Sequence, residues 1–223
     1  INICSPDKGG IFVDCTFGGG GYTKKLLKFP KTKVVALDRD QYVLDITKEI
    51  KRKYPERFFF YQKKFSNIDK VLNEQKADVI LFDLGLSSIQ LNNFKRGFSF
   101  KSRESLDMSM GLTNLSAEQV INSLAEKDLK LIIQVLGEEK EASKIAKNII
   151  KYRSENEITK VNQLVDIIEK SKKRNFLKKI NPSTKTFQAL RIFVNKEITE
   201  LIYGIINATK ILKPGGKILV LSF

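Results

Sequence analysis

The chain has 223 residues, 42% of them hydrophobic, enough for one domain with a core of its own, with a subdomain at most. No apolar run reaches the roughly 18 residues of a membrane span, and two cysteines, Cys4 and Cys15, are too few for a disulfide framework and suit a reducing cytoplasm. The absence of histidine excludes a Ser-His-Asp triad, an imidazole base and most metal chemistry, so any reaction must run on carboxylates, hydroxyls, backbone groups or a cofactor. The 40 Lys and Arg against 25 Asp and Glu leave a net charge of +15, which invites a polyanionic partner, nucleic acid first.

The first half alternates between two periodicities. Short runs rich in Val, Ile and Phe at 11–16, 33–38, 57–62 and 78–83 predict strands. Their near-continuous apolar character predicts burial on both faces, hence a parallel sheet. Between them, 24–29, 41–53 and 67–73 carry helical patterns, with Ile68, Val71 and Leu72 spaced for one face. The first strand ends in Asp14 and runs into a turn of four glycines, Gly18 to Gly21, followed by Tyr22; the second ends in Asp38. Glycines let a backbone approach a ligand closely, and an acid about 20 residues on can hold a ribose diol. Asp40 is better placed than Asp38 to cap the helix that begins near Gln41, which leaves Asp38 for a ligand. Asp83 closes the fourth strand, where the carboxyl ends of an open α/β sheet face the ligand crevice, and a carboxylate there needs partners. Phe65 either lies against an adenine or fills the core, and its pattern leans to the core.

A long polar and aromatic segment follows Asp83, from Leu84 through Arg96-Gly-Phe-Ser-Phe100 to Met110, the kind of loop that is usually functional. Arg96 and the phenylalanines are candidates to hold a substrate. The alternation stops near Glu104. Ser116-Ala-Glu-Gln119 reads as a capping box. Leu129, Ile132, Ile133 and Leu136 mark a second helix with Gly137 as its stop. Ala142, Ile145, Ala146, Ile149 and Ile150 define a third, and Thr159 caps a fourth that holds Val161, Leu164, Val165 and Ile168. One long helical stretch then runs from about Thr184 to Leu212, and Pro214-Gly215-Gly216 turns the chain into a last strand at 217–222. Because strand and helix alternate again at the end, the helical block is an insertion: a core of 1–103 and 185–223 interrupted by 104–184. The expected sheet order is 3-2-1-4-5, parallel throughout, with 217–222 as an uncovered edge prone to aggregation. Ile1 is no initiator methionine and Phe223 closes an apolar strand, so the chain is expected to be a segment of a longer protein.

Three classes of function fit these residues. The Leu-Lys-Pro-Gly-Gly-Lys run before the last strand suits a methyltransferase using S-adenosylmethionine. A nicotinamide-dependent oxidoreductase fits less well, and an RNA-binding Rossmann-like module without catalysis is the remaining alternative. Lys172, Lys173, Arg174, Lys178, Lys179 and Lys185 crowd one segment without an acid, with Phe176 among them, which predicts contact with phosphates and no reading of bases.

Asp14-Cys-Thr-Phe-Gly-Gly-Gly-Gly21, Asp38-Arg-Asp40, Asp83-Leu-Gly-Leu-Ser-Ser-Ile-Gln-Leu91, Arg96-Gly-Phe-Ser-Phe100, Leu106-Asp-Met108, Gly137-Glu-Glu-Lys140 and Thr184-Lys-Thr-Phe-Gln-Ala-Leu-Arg-Ile-Phe-Val-Asn195 together resemble the bacterial small-subunit (16S) ribosomal RNA cytosine-N4 methyltransferase family. The resemblance covers nearly the whole chain in order. It implies a class I methyltransferase core, a Rossmann-like α/β sheet with an inserted all-helical subdomain, acting in the cytoplasm on a cytidine of small-subunit ribosomal RNA, free or in the assembled 30S subunit. Carried over position by position, it implies cofactor contacts at Gly20, Gly21, Tyr22, Asp38, Phe65, Asp83 and Gln90, with Asp83 and the carbonyl of Leu84 toward N4, and no metal. Tyr22 stands where the family usually has histidine. The family also begins with a histidine-bearing segment and continues with a His-Ser-Leu-Glu-Asp-Arg motif, neither of which is present.

Overall fold

A computed structural model describes residues 1–72, 75–172 and 181–222. In chain order it contains β1 (Gly10–Asp14), α1 (Gly21–Leu26), β2 (Thr32–Asp38), α2 (Leu44–Lys53), β3 (Phe58–Gln62), β4 (Ala77–Asp83), α3 (Ser88–Asn92), α4 (Ala117–Ser123), α5 (Glu126–Gly137), α6 (Ala142–Arg153), α7 (Val161–Ser171), α8 (Thr184–Asn195), α9 (Glu197–Ile211) and β5 (Leu212–Leu221). The sheet runs β3-β2-β1-β4-β5, and all four pairings are parallel, the order expected from the strand–helix alternation. Successive side chains of a strand point to opposite faces. Phe12, Val34, Val79 and Leu81 therefore build one core with Phe17, Leu26 and Phe58, while Val13, Val35, Ile80 and Phe82 build the other with Ile68, Ala208 and Ile211.

Three elements depart from the sequence expectation. The stretch expected as a helix over 67–73 is a 3-10 turn, Phe65–Lys70, with Asn67 out of helical geometry at φ −101° and ψ 24°. The long helix expected from Thr184 is broken at Lys196, whose φ of 52° is left-handed, into α8 and α9. Strand β5 starts at Leu212, opposite Ala77, and Pro214-Gly215-Gly216 forms an irregularity within it before Lys217 pairs with Val79. Asp78 anchors that irregularity: it takes Lys213 Nζ at 2.8 Å and accepts from the Ile11 N–H at 2.7 Å.

The chain divides into two compact units, Ile1–Ile89 with Ile198–Phe223, and Gln90–Glu197. The second unit thus takes in 90–103 and 185–197, beyond the insertion bounds of 104 and 184 expected from the pattern. Helix α8 packs along α5, and Asn195 at its end accepts from the Met110 N–H and donates to the Met108 carbonyl, each at 2.8 Å. Gly137 is more than a helix stop. A Cβ there would overlap the Lys185 carbonyl oxygen, so its bare backbone lets α5 and α8 approach closely. Ser116 caps α4 as a full capping box with Gln119. Before α7 the cap falls at Lys160, with Gln163 Oε1 accepting from both the Thr159 and Lys160 N–H groups. Among the described residues no helix is long and apolar enough to cross a membrane.

Candidate functional site

Parallel strands deliver their carboxyl ends to one edge of the sheet. In the first unit, β1, β2 and β4 end there in Asp14, Asp38 and Asp83. Asp14 is buried; it accepts from Thr23 Oγ1 at 2.7 Å and weakly from the Thr16 N–H at 3.4 Å. Burial, partly offset by those bonds, pushes its carboxyl up to about 6. Thr16 Oγ1 in turn accepts from the Asp83 N–H at 2.7 Å, which ties the end of β1 to the end of β4.

Asp38 accepts from the Gly18 N–H at 2.7 Å on one oxygen and from the Asp40 N–H at 2.9 Å on the other. Burial raises its carboxyl above the usual range. Asp40 takes the expected capping role at the turn Gln41–Val43, accepting from the Tyr42 N–H. The glycine turn uses left-handed backbone at Gly18 (φ 49°) and Gly20 (φ 73°). A Cβ on Gly19 or Gly21 would meet nothing within 4 Å, and the same is true of Gly85, two residues beyond Asp83. The ends of β1 and β4 therefore carry bare, open backbone.

Tyr22, half-buried at the start of α1, has its hydroxyl pushed up by burial, then by the charges of Asp83 and Asp14, so these groups share one electrostatic field. Asp83 is partly exposed, burial raises its carboxyl, and the carboxylate has no hydrogen-bond partner among the described residues. The Leu84 N–H is spent on the Leu221 carbonyl at 2.9 Å. Sequence reasoning passed over Thr16 and Thr23, which look like ordinary polar residues until the fold sets them against Asp83 and Asp14.

The model of the MraW methylase family matches residues 1–223. The chain belongs to this family. Ribosomal RNA small subunit methyltransferase H of Ehrlichia ruminantium (strain Gardel) is 41% identical over 228 residues, covering 100% of this chain and 76% of the relative. The protein of the same name from Rickettsia africae (strain ESF-5) is 44% identical over 224 residues, covering 100% of this chain and 72% of the relative. A solved rRNA-methylase structure from Clostridium thermocellum aligns with 35% of this chain and 44% of its own, at TM-score 0.32 and 23% identity, too partial a likeness to bear on the fold. As a member of a methylase family the chain is a methyltransferase, and S-adenosylmethionine is its methyl donor.

The residues present fit that donor. A carboxylate offers about four lone-pair sites, and the backbone N–H groups of Gly18, Asp40 and Arg39 leave Asp38 room for one ribose hydroxyl. The space over Gly19, Gly21 and Gly85 admits a ligand against bare backbone. Phe65 stays half-buried against the core: its ring stands edge-on to Phe82 at 5.5 Å, and Gly204 lets α9 pass 2.7 Å from it, measured to an added Cβ. Gln90 is buried in the short helix α3.

Of the cations expected to meet RNA, three lie among the described residues. Arg96 is only 5% exposed; its guanidinium donates to the Ser109 carbonyl at 2.7 Å and lies over the Phe98 ring, so it shapes its loop instead of meeting phosphates. Lys172 pairs with Glu139 and donates to the Pro182 carbonyl. Lys185, exposed, donates to the Glu138 carbonyl at 2.9 Å. Lys173, Arg174, Phe176, Lys178 and Lys179 lie outside the described residues.

Proposed function

We propose that this chain transfers a methyl group from S-adenosylmethionine to the exocyclic N4 of a cytidine in small-subunit ribosomal RNA, in the cytoplasm. The observation that carries the reading is Asp83, a carboxylate with no internal hydrogen-bond partner among the described residues, held by Thr16 beside the glycine turn in a chain of the MraW methylase family. S-adenosylmethionine, when bound, supplies an electrophilic methyl on a sulfonium, so the protein's task is alignment and electrostatics.

The N4 lone pair is delocalised into the cytosine ring and is a weak nucleophile. Asp83 and the Leu84 carbonyl accept hydrogen bonds from the N4 hydrogens and draw the nitrogen toward tetrahedral geometry. Asp38 holds the ribose, Gly20, Gly21 and Tyr22 line the donor, and Phe65 and Gln90 complete the contacts carried over from the family. No strong base is needed, since N4 becomes acidic only once it carries the methyl group. The base must leave its stack to reach Asp83, which costs least in single-stranded RNA.

The test is transfer of labelled methyl to small-subunit RNA, free and in the 30S subunit, followed by nucleoside mass spectrometry. N4-methylcytidine is expected. Asp83→Asn is expected to bind the donor as the parent does and to lose turnover by about 100-fold or more, the scale of a positioned acid–base group. Activity is expected to fall as pH drops, at a higher pH than for a free aspartate, because burial raises the Asp83 carboxyl and the protonated form loses its acceptor role. Methylation at another atom, or a fully active Asp83→Asn, overturns the assignment.

A further inference from the structure

We infer that the open groove between α2 and the free side of β3 is a second contact surface for RNA, one that takes a single strand without regard to sequence. The inference rests on the ribosomal RNA reading above. The groove has a volume of about 800 Å³ and shares no residue with the acid and glycine site. Its cationic wall is Lys48, Lys51 and Arg52 of α2, all exposed; its aromatic wall includes Phe59 and Tyr61 of β3.

The strand's own pattern makes the aromatic wall. β3 is an edge strand, and alternate residues face opposite ways. Phe58 and Phe60 turn inward to Phe17, with ring centroids 5.9 and 5.5 Å away. Phe59 turns out and stays 38% exposed. Lys51 Nζ stands 4.6 Å from the centre of the Phe59 ring, so a cation and a partly exposed ring are presented together. Lys63 repeats the arrangement over Tyr61 at 6.0 Å. From 45 to 64 the sequence has seven Lys and Arg against three acids, and one of those acids, Asp45, is already paired with Lys48.

Cations beside exposed rings are the elements of a single-strand platform: phosphates follow the charges and bases stack on the rings. A peptide adding to the β3 edge fits less well. The outward groups of Phe58 are already taken, its N–H by the Tyr54 carbonyl at 3.0 Å and its carbonyl by Lys51 Nζ at 2.9 Å.

The experiment measures binding of a fluorescent twelve-nucleotide oligouridylate to the whole chain by anisotropy across a salt series, with donor affinity measured in parallel by calorimetry. A Lys48→Gln, Arg52→Gln double variant is expected to bind about fivefold or more weakly and to flatten the log–log salt slope by roughly 1.4, or 0.7 per lost contact. Phe59→Ala is expected to weaken binding about fivefold with an unchanged slope, and Phe59→Tyr to keep the parent affinity because the ring remains. Donor affinity stays at the parent value in all three. Parent-like RNA affinity and slope in the double variant and in Phe59→Ala, or a parent that does not bind the oligonucleotide, overturns the inference. So does displacement of the RNA by a polyglutamate peptide at equal potency, which marks a general acidic-partner surface. Should the parent bind RNA through the groove yet methylate no ribosomal RNA, the functional reading fails and the groove stands. Should it methylate while the groove variants bind and methylate as the parent does, the reverse holds.

Discussion

Asp14→Asn separates the stability of the glycine-turn site from its chemistry. Asp14 is 1% exposed, and burial moves its carboxyl from 3.8 to about 6. A group whose folded value is raised contributes stability that is full below the unfolded value and is lost as pH rises through the folded one. Below pH 3.8 the carboxyl is neutral in both states and costs nothing extra. Above about 6 it is ionised in both, and the folded state carries a buried charge that the unfolded state solvates freely. The difference amounts to roughly 3 kcal/mol at pH 7. Asparagine keeps the shape and removes the charge, but it disturbs the bond from Thr23, at about 1 kcal/mol at every pH. The variant is therefore expected to be less stable than the parent by about 1 kcal/mol at pH 4 and more stable by about 2 kcal/mol at pH 8. Urea unfolding of both proteins by circular dichroism across that range isolates Asp14, because the other carboxyls titrate in both. A difference that stays constant from pH 4 to 8, or grows in the parent's favour, refutes the reasoning.

Asp38→Ala removes the acceptor for the Gly18 N–H and, on the proposed reading, for the donor's ribose; S-adenosylmethionine affinity should drop by about 1.5–3 kcal/mol in titration calorimetry, and an unchanged affinity would place the donor elsewhere. Gly137→Ala should lower the melting temperature despite a helix-propensity gain of about 1 kcal/mol, because the new methyl group collides with the Lys185 carbonyl and packing strain of about 1–3 kcal/mol outweighs it; a higher melting temperature would show that α5 and α8 can part freely. Asn195→Ala leaves the Met110 N–H and the Met108 carbonyl unpaired in a buried site and should cost about 2–4 kcal/mol in chemical unfolding, a loss under 1 kcal/mol being inconsistent with these bonds.

The order β3-β2-β1-β4-β5, the glycine turn and the acids at the strand ends were legible in the sequence, because each is a local pattern. A near-continuous apolar run ending in an acid states that a strand is buried on both faces and where its carboxyl end lies. The partners of each side chain were not legible, because they come from residues far along the chain. Thr16 holds the N–H of Asp83, 67 residues away, and Asn195 bridges to Met108, 87 residues away. Within the acid-free run from Lys172 to Lys185, Lys172 meets Glu139, which lies 33 residues earlier and so outside any local charge count. Arg96 looked like a free cation in a polar loop until that loop folded back and buried it on Ser109 and Phe98. Lys196 ends α8 in left-handed geometry, and Asn195 then fastens that helix to the loop through Met108, which moved the unit boundary past the point where the strand–helix alternation stops. Sequence periodicity thus determined which elements form and which of their ends carry acids. Only tertiary packing decided which charges remain open to a ligand, because a buried polar group must find its hydrogen-bond partner wherever the fold supplies one.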